Sequence, residues 1–159
     1  MRTRSLLLAV IAATAWAVLA AAPARADDYA VYESDSSFED VMDALKLAIQ
    51  ERGLFINNVM HMDEMLQRTG KDLGMDEQIY GQAQSIEFCS AVLSRKMTAE
   101  DPRRIVNCPF IVAVYTLPAE PGTTYVAHRV IPAGETEGSA AMQEVADMLH
   151  GVAEAAVSW

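Results

Sequence analysis

The feature that most constrains the fold is the segment SDSSFEDVMDALKLAIQERG, which separates two β-type segments. Ser36 and Glu39 are spaced as a capping box, in which each side chain bonds the backbone N–H of the other residue. Gly53 stands where a helix must end, a position that often needs a positive φ. The apolar residues between them recur at helical spacing and form one stripe, made by Phe38, Val41, Met42, Leu45, Ala48 and Ile49. A helix with one apolar face must bury that face, so the segment predicts a helix packed on a sheet.

The rest of the chain alternates β-type and helical segments. We expect Asp63 to cap a short helix that ends near Gly70 and Gly74, and Asp101-Pro102 to begin another. A loop of medium length joins the last two strands, and an amphipathic helix at 140–159 closes the chain. Strands are predicted at residues 29–34, 54–62, 83–90, 109–117 and 123–132. This order predicts an α+β fold with helices packed on a sheet.

The start of the chain has the three-part pattern of a secretory signal peptide. A positively charged start precedes an apolar run over residues 6–19, and an Ala-Arg-Ala cleavage motif ends at Ala26. The run is short for a membrane span, which needs about 20 apolar residues. We therefore predict cleavage between Ala26 and Asp27, a periplasmic or secreted product of one domain at 27–159, and no stable membrane insertion after cleavage.

Net charge argues against a nucleic-acid partner. The 159-residue chain has 12 basic and 22 acidic residues, a net charge of −10. The predicted leader carries three of the basic residues and none of the acidic ones, so the mature chain carries a net charge of −13. Phosphate backbones are bound by basic patches, and an acidic surface of this kind serves solubility. Nucleic acid and anionic membranes are thus poor partners.

Two stretches resemble the domain-of-unknown-function 302 family (DUF302). They are SSFEDVMDALKLAIQERGLFINNVMHMDEML and IEFCSAVLSRKMTAEDPRRIVNCPFIVAVYTL, the second with an Asp-Pro turn and a proline-led strand. The resemblance covers about residues 29–132 and leaves the C-terminal helix as an addition. It implies a mostly antiparallel sheet with helices on one face, similar to a single TATA-binding-protein-like unit. It also implies a homodimer, and it implies no DNA binding and no established activity.

Cys89 and Cys108 are the two cysteines of the chain. In an oxidising compartment two lone cysteines usually pair, and their 18-residue spacing fits neither a redox motif nor a haem attachment site. Zinc needs further ligands, and a thiol nucleophile needs an activating neighbour that is not apparent in the sequence. The antiparallel sheet that the resemblance implies would bring the two cysteines within bonding reach, whereas parallel strands would separate them. We therefore predict a structural disulfide.

The string NNVMHMDEM is the most suggestive one chemically. Thioether and imidazole groups suit copper(I), and a His/Met pair can ligate haem iron. The candidate metal ligands are Met60, His61, Met62 and Met65, joined by His128 if its strand face lines a pocket or a dimer cleft. Neighbouring residues on a strand point to opposite faces, however, and methionine is a common core filler.

Three functional hypotheses follow from these observations. The first, and the one we prefer, is a non-enzymatic binding or accessory domain of unknown ligand. The second is a copper or haem carrier that uses the methionine cluster. The third is a thiol-dependent enzyme, which would require Cys89 or Cys108 as a free thiol of low pKa.

Overall fold

The computed structural model describes residues 28–159, so the predicted leader and its cleavage site at Ala26 and Asp27 lie outside the described residues. Five strands, five α-helices and one 3-10 helix at Pro102–Asn107 make up the described part. The strands are β1 (Tyr29–Ser34), β2 (Phe55–His61), β3 (Ala83–Cys89), β4 (Phe110–Leu117) and β5 (Glu120–Arg129). The α-helices are α1 (Phe38–Glu51), α2 (Met62–Leu73), α3 (Ala91–Glu100), α4 (Ala133–Thr136) and α5 (Ala140–Val157).

The five strands form one antiparallel sheet in the order β1-β5-β4-β3-β2. The N-terminal strand thus forms one edge, and β2 forms the other. The predicted α+β fold, with a mostly antiparallel sheet and helices packed on it, is confirmed. None of the helices in residues 28–159 is long and apolar enough to cross a membrane.

The core lies between one face of the sheet and helices α1, α3 and α5. The apolar stripe predicted for α1 is buried, and α5 buries its own stripe beside it. The sheet contributes the alternate residues that point toward the helices, namely Ile86, Phe88, Phe110, Val112, Val114 and Val126. Alternation along each strand therefore leaves the other sheet face without these helices. We call this second face the outer face.

The cap of α1 differs from the predicted capping box by one residue. Ser37, rather than Ser36, is the N-cap, and its Oγ accepts a hydrogen bond from the backbone N–H of Asp40 at 3.2 Å. Ser36 is held by the sheet instead, because the Thr124 hydroxyl donates to its backbone carbonyl at 2.9 Å. The prediction for the other end is confirmed, since Gly53 has φ +68°.

Two other local predictions were wrong. Asp63 lies inside α2, which begins at Met62 and has no side-chain cap. The hairpin between β4 and β5 is tighter than the predicted medium loop, because β5 already begins at Glu120. Pairing of β4 with β5 resumes at Glu120 after a shift in register beside Leu117. Residues Glu120–Gly122, which were predicted to form a loop, therefore belong to β5.

We expect the α1 stripe to carry much of the stability. Leu45 is fully buried and Leu47, on the same helix, is 37% exposed. Leu45→Ala should lower the free energy of unfolding by about 2–5 kcal/mol, because it removes buried methyl groups and leaves a cavity. The matched control Leu47→Ala should stay within about 0.5 kcal/mol of the parent chain. Urea unfolding followed by circular dichroism measures both, and equal losses would contradict this assignment of the core.

Candidate functional site

A hollow lies between α2 and the segment that follows it, residues 75–81. Gly74 ends α2 in the left-handed conformation, with φ +68°, and the Met75 N–H then donates to the Gly70 carbonyl at 2.8 Å. A Cβ at position 70 would lie 2.6 Å from the Met75 carbonyl oxygen, so the chain can fold back this closely because position 70 is glycine. The two glycines that weaken the helical pattern therefore turn the chain back beside α2.

The hollow has a volume of about 680 Å³ and a largely apolar floor. Its apolar lining comes from Leu66, Leu73, Met75, Ile79 and Tyr80. Leu73 and Met75 are each 67% exposed and Ile79 is 58% exposed, although each carries a large apolar side chain. No described residue of α2 is fully buried. This helix therefore presents apolar surface to water rather than to the core, which is a mark of a binding surface.

The rim of the hollow is acidic. Asp63, Glu64, Asp76 and Glu77 line it, and none of the described lining residues is lysine or arginine. Four carboxylates around an apolar floor set up a negative potential that attracts cations and repels anions. The hollow thus suits a molecule that combines an apolar body with a positive charge.

The outer face of the sheet carries a row of small side chains. Register across the five strands aligns Val31, Ala127, Ala113, Ser85 and Met60 in one line. Small residues in the three central strands make this line a shallow trough. Its edges are exposed, with Val31 at 51% and Met60 at 38% exposure.

Three tyrosines connect the hollow to the outer face. Tyr80, which lines the hollow, packs edge-on against Tyr115 with ring centroids 5.5 Å apart. Tyr115 stacks in turn on Tyr125 at 5.1 Å. A hydrogen bond that the Tyr125 hydroxyl donates to the Glu120 carboxylate raises the pKa of Tyr125 to about 12. Burial likewise raises the pKa of Tyr115, so Tyr115 and Tyr125 are neutral aromatic surface at physiological pH.

The predicted cysteine pair lies together at one end of β3. Antiparallel pairing of β3 with β4 places Cys89 beside the chain that enters β4, and the Sγ atoms of Cys89 and Cys108 lie 2.7 Å apart as separate thiols. Burial, together with the adjacent Cys108 thiol, raises the pKa of Cys89 to about 11. A thiol with a raised pKa is a poor nucleophile, whereas its position suits bond formation with its neighbour.

The methionine-rich string is divided by the fold. Met60 lies on the outer face, whereas His61 points to the opposite side of β2. Nδ1 of His61 lies 3.9 Å from a carboxylate oxygen of Glu64. Met62 and Met65 belong to α2. Among residues 28–159 no group of three or more His, Cys, Asp or Glu side chains is placed to hold a metal ion.

The structure does not bring His128 to His61. His128 lies on β5 and His61 on β2, and the two intervening strands separate them by at least about 14 Å. His128 instead lies on the inner face beside Tyr32, where it is 7% exposed. Burial lowers the pKa of His128 despite the hydrogen bond that its Nδ1 makes with the Arg129 carbonyl. It is therefore a neutral ring whose Nε2 lies 3.3 Å from the Tyr32 hydroxyl oxygen.

Sequence reasoning missed the residues that form the hollow. Met75, Ile79 and Tyr80 fall in a stretch with no helical or strand periodicity, so the sequence indicated a loop there and nothing more, and Leu73 falls in the predicted short helix. The signal that was present is composition, since Met75, Ile79 and Tyr80 flank the acidic pair Asp76-Glu77 between two glycines. An apolar loop that lacks periodicity is a sign of exposed binding surface.

Comparisons with known proteins place the fold. A family model described as "Domain of unknown function DUF302" matches residues 30–156, a range that includes α5. A solved structure, the crystal structure of an uncharacterized conserved DUF302 protein from Bacillus stearothermophilus, superposes with a TM-score of 0.67 at 15% identity. The superposition covers 82% of this chain and 99% of that chain. No curated protein matches the sequence significantly.

We expect Cys89 and Cys108 to form a disulfide under oxidising conditions. Protein prepared without reductant should then show no thiol reactive to Ellman's reagent after unfolding. Reduction should lower the free energy of unfolding by about 3 kcal/mol, because the open chain regains the entropy of a loop of this size. The Cys89→Ser/Cys108→Ser double variant is the control, since reductant should leave its stability unchanged. Two reactive thiols per unfolded chain would contradict the expectation.

Proposed function

The chain belongs to the DUF302 family, and we propose that it is an exported, non-enzymatic binding domain whose ligand occupies the hollow between α2 and residues 75–81. The observation that carries the proposal is the exposed apolar floor inside an acidic rim. A floor of this kind gains free energy when a ligand removes it from water. The acidic rim selects among apolar ligands by charge.

The ligand class is an amphiphilic cation, meaning a small molecule with an apolar body and a permanent or protonated amine. The apolar body covers Leu73, Met75 and Ile79, and the charge lies near Asp76 and Glu77. Tyr80 adds an aromatic ring to which a quaternary or protonated amine is attracted. Export follows from the leader pattern, and it accords with a disulfide between Cys89 and Cys108.

Two competing hypotheses have weaker support. A carrier built on the methionine cluster would need Met60 and His61 to share a ligand, although they point to opposite sides of β2. A thiol-dependent enzyme would need a thiol of lowered pKa, whereas the pKa of Cys89 is raised. The binding-domain hypothesis requires neither.

A second proposal concerns the partner, which we infer to be another copy of the chain bound through the outer face. Arg129 and Glu87 lie on this face on opposite sides of β4, with exposed Ile111 between them. If two copies pack these faces about a two-fold axis parallel to β4, Arg129 of each copy faces Glu87 of the other. A two-fold interface must be self-complementary. The pattern of one arginine and one glutamate on each copy is self-complementary.

The ligand proposal is tested by calorimetry with three decyl amphiphiles below their micellar concentrations. Decyltrimethylammonium should bind with an affinity at least about tenfold higher than decyl maltoside, and decyl sulfate should bind most weakly, because the rim repels anions. The gap between the cation and the neutral probe should narrow at high salt, since the rim is exposed. Equal affinities for the cationic and anionic probes would contradict the proposal.

Matched variants locate the site. Leu73→Ser should weaken binding of decyltrimethylammonium at least about tenfold through lost apolar contact. Val106→Ser is the control, because Val106 is also an exposed apolar side chain, at 84%, and lies outside the hollow. Asp76→Asn/Glu77→Gln should reduce the preference for the cation while leaving binding of decyl maltoside unchanged. If Val106→Ser has the same effect as Leu73→Ser, the hollow is not the site.

The dimer proposal is tested by a charge exchange. Analytical ultracentrifugation should show a dimer, and Arg129→Glu should raise its dissociation constant at least about tenfold by placing like charges together. Adding Glu87→Arg to that variant should restore dimerisation. A variant that had merely lost stability would not recover in this way. A monomeric parent chain, or a double variant that stays as weak as the single one, contradicts this arrangement.

A further inference from the structure

A second cluster, distinct from the hollow, joins Tyr32, His128 and His150. They come from β1, β5 and α5, and 118 residues separate Tyr32 from His150 in the sequence. The Tyr32 hydroxyl oxygen lies 3.3 Å from Nε2 of His128 and 2.8 Å from Nδ1 of His150. The Tyr32 oxygen therefore lies beside two histidine nitrogens, where the C-terminal helix crosses the edge of the sheet.

The outer nitrogen of each histidine faces a group that can only accept a hydrogen bond. Nδ1 of His128 lies 2.9 Å from the backbone carbonyl oxygen of Arg129. Nε2 of His150 lies 3.3 Å from the carboxylate of Glu154. His128 therefore carries its ring hydrogen on Nδ1 and presents the Nε2 lone pair to Tyr32, whereas either ring nitrogen of His150 can carry its hydrogen. An outer acceptor that fixes the tautomer in this way is the usual support of a metal-ligating histidine.

The neutral cluster forms a chain of hydrogen bonds when Nδ1–H of His150 donates to the Tyr32 oxygen and the Tyr32 hydroxyl donates to Nε2 of His128. The same three atoms can act as metal ligands when His150 carries its hydrogen on Nε2, beside Glu154, and Tyr32 loses its proton. The separations of 2.8 and 3.3 Å between these ligand atoms suit a bound ion. Ligand atoms around an ion with bonds of about 2.0–2.1 Å lie about 2.9–3.3 Å apart.

We propose that Tyr32, His128 and His150 bind one divalent transition-metal ion of the class that favours imidazole, copper(II) or zinc. His128 contributes Nε2, His150 contributes Nδ1, and Tyr32 contributes its phenolate oxygen after the hydroxyl proton passes to solvent. Water completes the coordination, since the His150 side chain is 56% exposed and leaves the site open on that side. The bound ion links α5 to β1 and β5.

The site differs from the methionine cluster in both residues and chemistry. Its donors are two imidazoles and a phenol, which suit a divalent ion of intermediate softness rather than copper(I). The structure supplies a matched control, because His61 is the third histidine of the chain and lies at the opposite edge of the sheet.

Copper(II) titration of the oxidised, chelator-treated chain tests the proposal first. We expect one ion per chain and a visible phenolate-to-copper absorption band. Tyr32→Phe should remove that band, and His150→Gln should raise the dissociation constant at least about tenfold. His61→Gln should change neither result. All three variants alter groups that are not essential to the packed core, and circular dichroism checks that each one folds.

Zinc calorimetry provides a second measurement that does not depend on the affinity of copper for a free amino terminus. Zinc should bind once per chain and raise the melting temperature, because the ion binds the folded state. Tyr32→Phe and His150→Gln should both reduce that rise, and His61→Gln should not. Absence of stoichiometric binding, or a loss in His61→Gln that equals the loss in His150→Gln, would overturn the proposal.

Discussion

Burial of the apolar stripes of α1 and α5 on one face of an antiparallel sheet is the interaction on which the rest of this structure depends. The two helices pack beside each other and cover the central strands, and the largest fully buried side chains all belong to this layer or to α3. Because side chains alternate along a strand, the same pairing that builds the core also creates an outer face that α1, α3 and α5 do not cover. The candidate surfaces consist of side chains that the core leaves exposed.

The two proposed sites differ in how the fold produces them. The hollow is local: two glycines turn the chain back beside α2, and a helix without a buried face holds apolar side chains in water. The cluster of Tyr32, His128 and His150 is assembled from three elements that are remote in sequence. It exists because α5 crosses the sheet edge that β1 and β5 form. The hollow can change with little effect on the core, whereas the cluster is tied to the packing of α5.

The parts predicted well are those that periodicity controls. The stripes of α1 and α5, the positive φ of Gly53 and the pairing of strands into an α+β fold follow from side-chain spacing and from the short range of capping interactions. The error at the start of α1 occurred where two adjacent serines can both cap a helix. Ser37 is the N-cap, and the backbone carbonyl of Ser36 accepts a hydrogen bond from Thr124, 88 residues away.

The sequence by itself determined the main helices and strands and the fold class, because each depends on contacts between neighbours in the chain. Tertiary structure alone decided which face stays uncovered, that His61 and His128 are kept apart, and that His128 instead faces Tyr32 and His150. The reason is physical: strand order and helix crossing set distances between residues that no sequence spacing encodes. Local sequence patterns therefore specify the core, whereas the topology of the fold specifies the candidate sites.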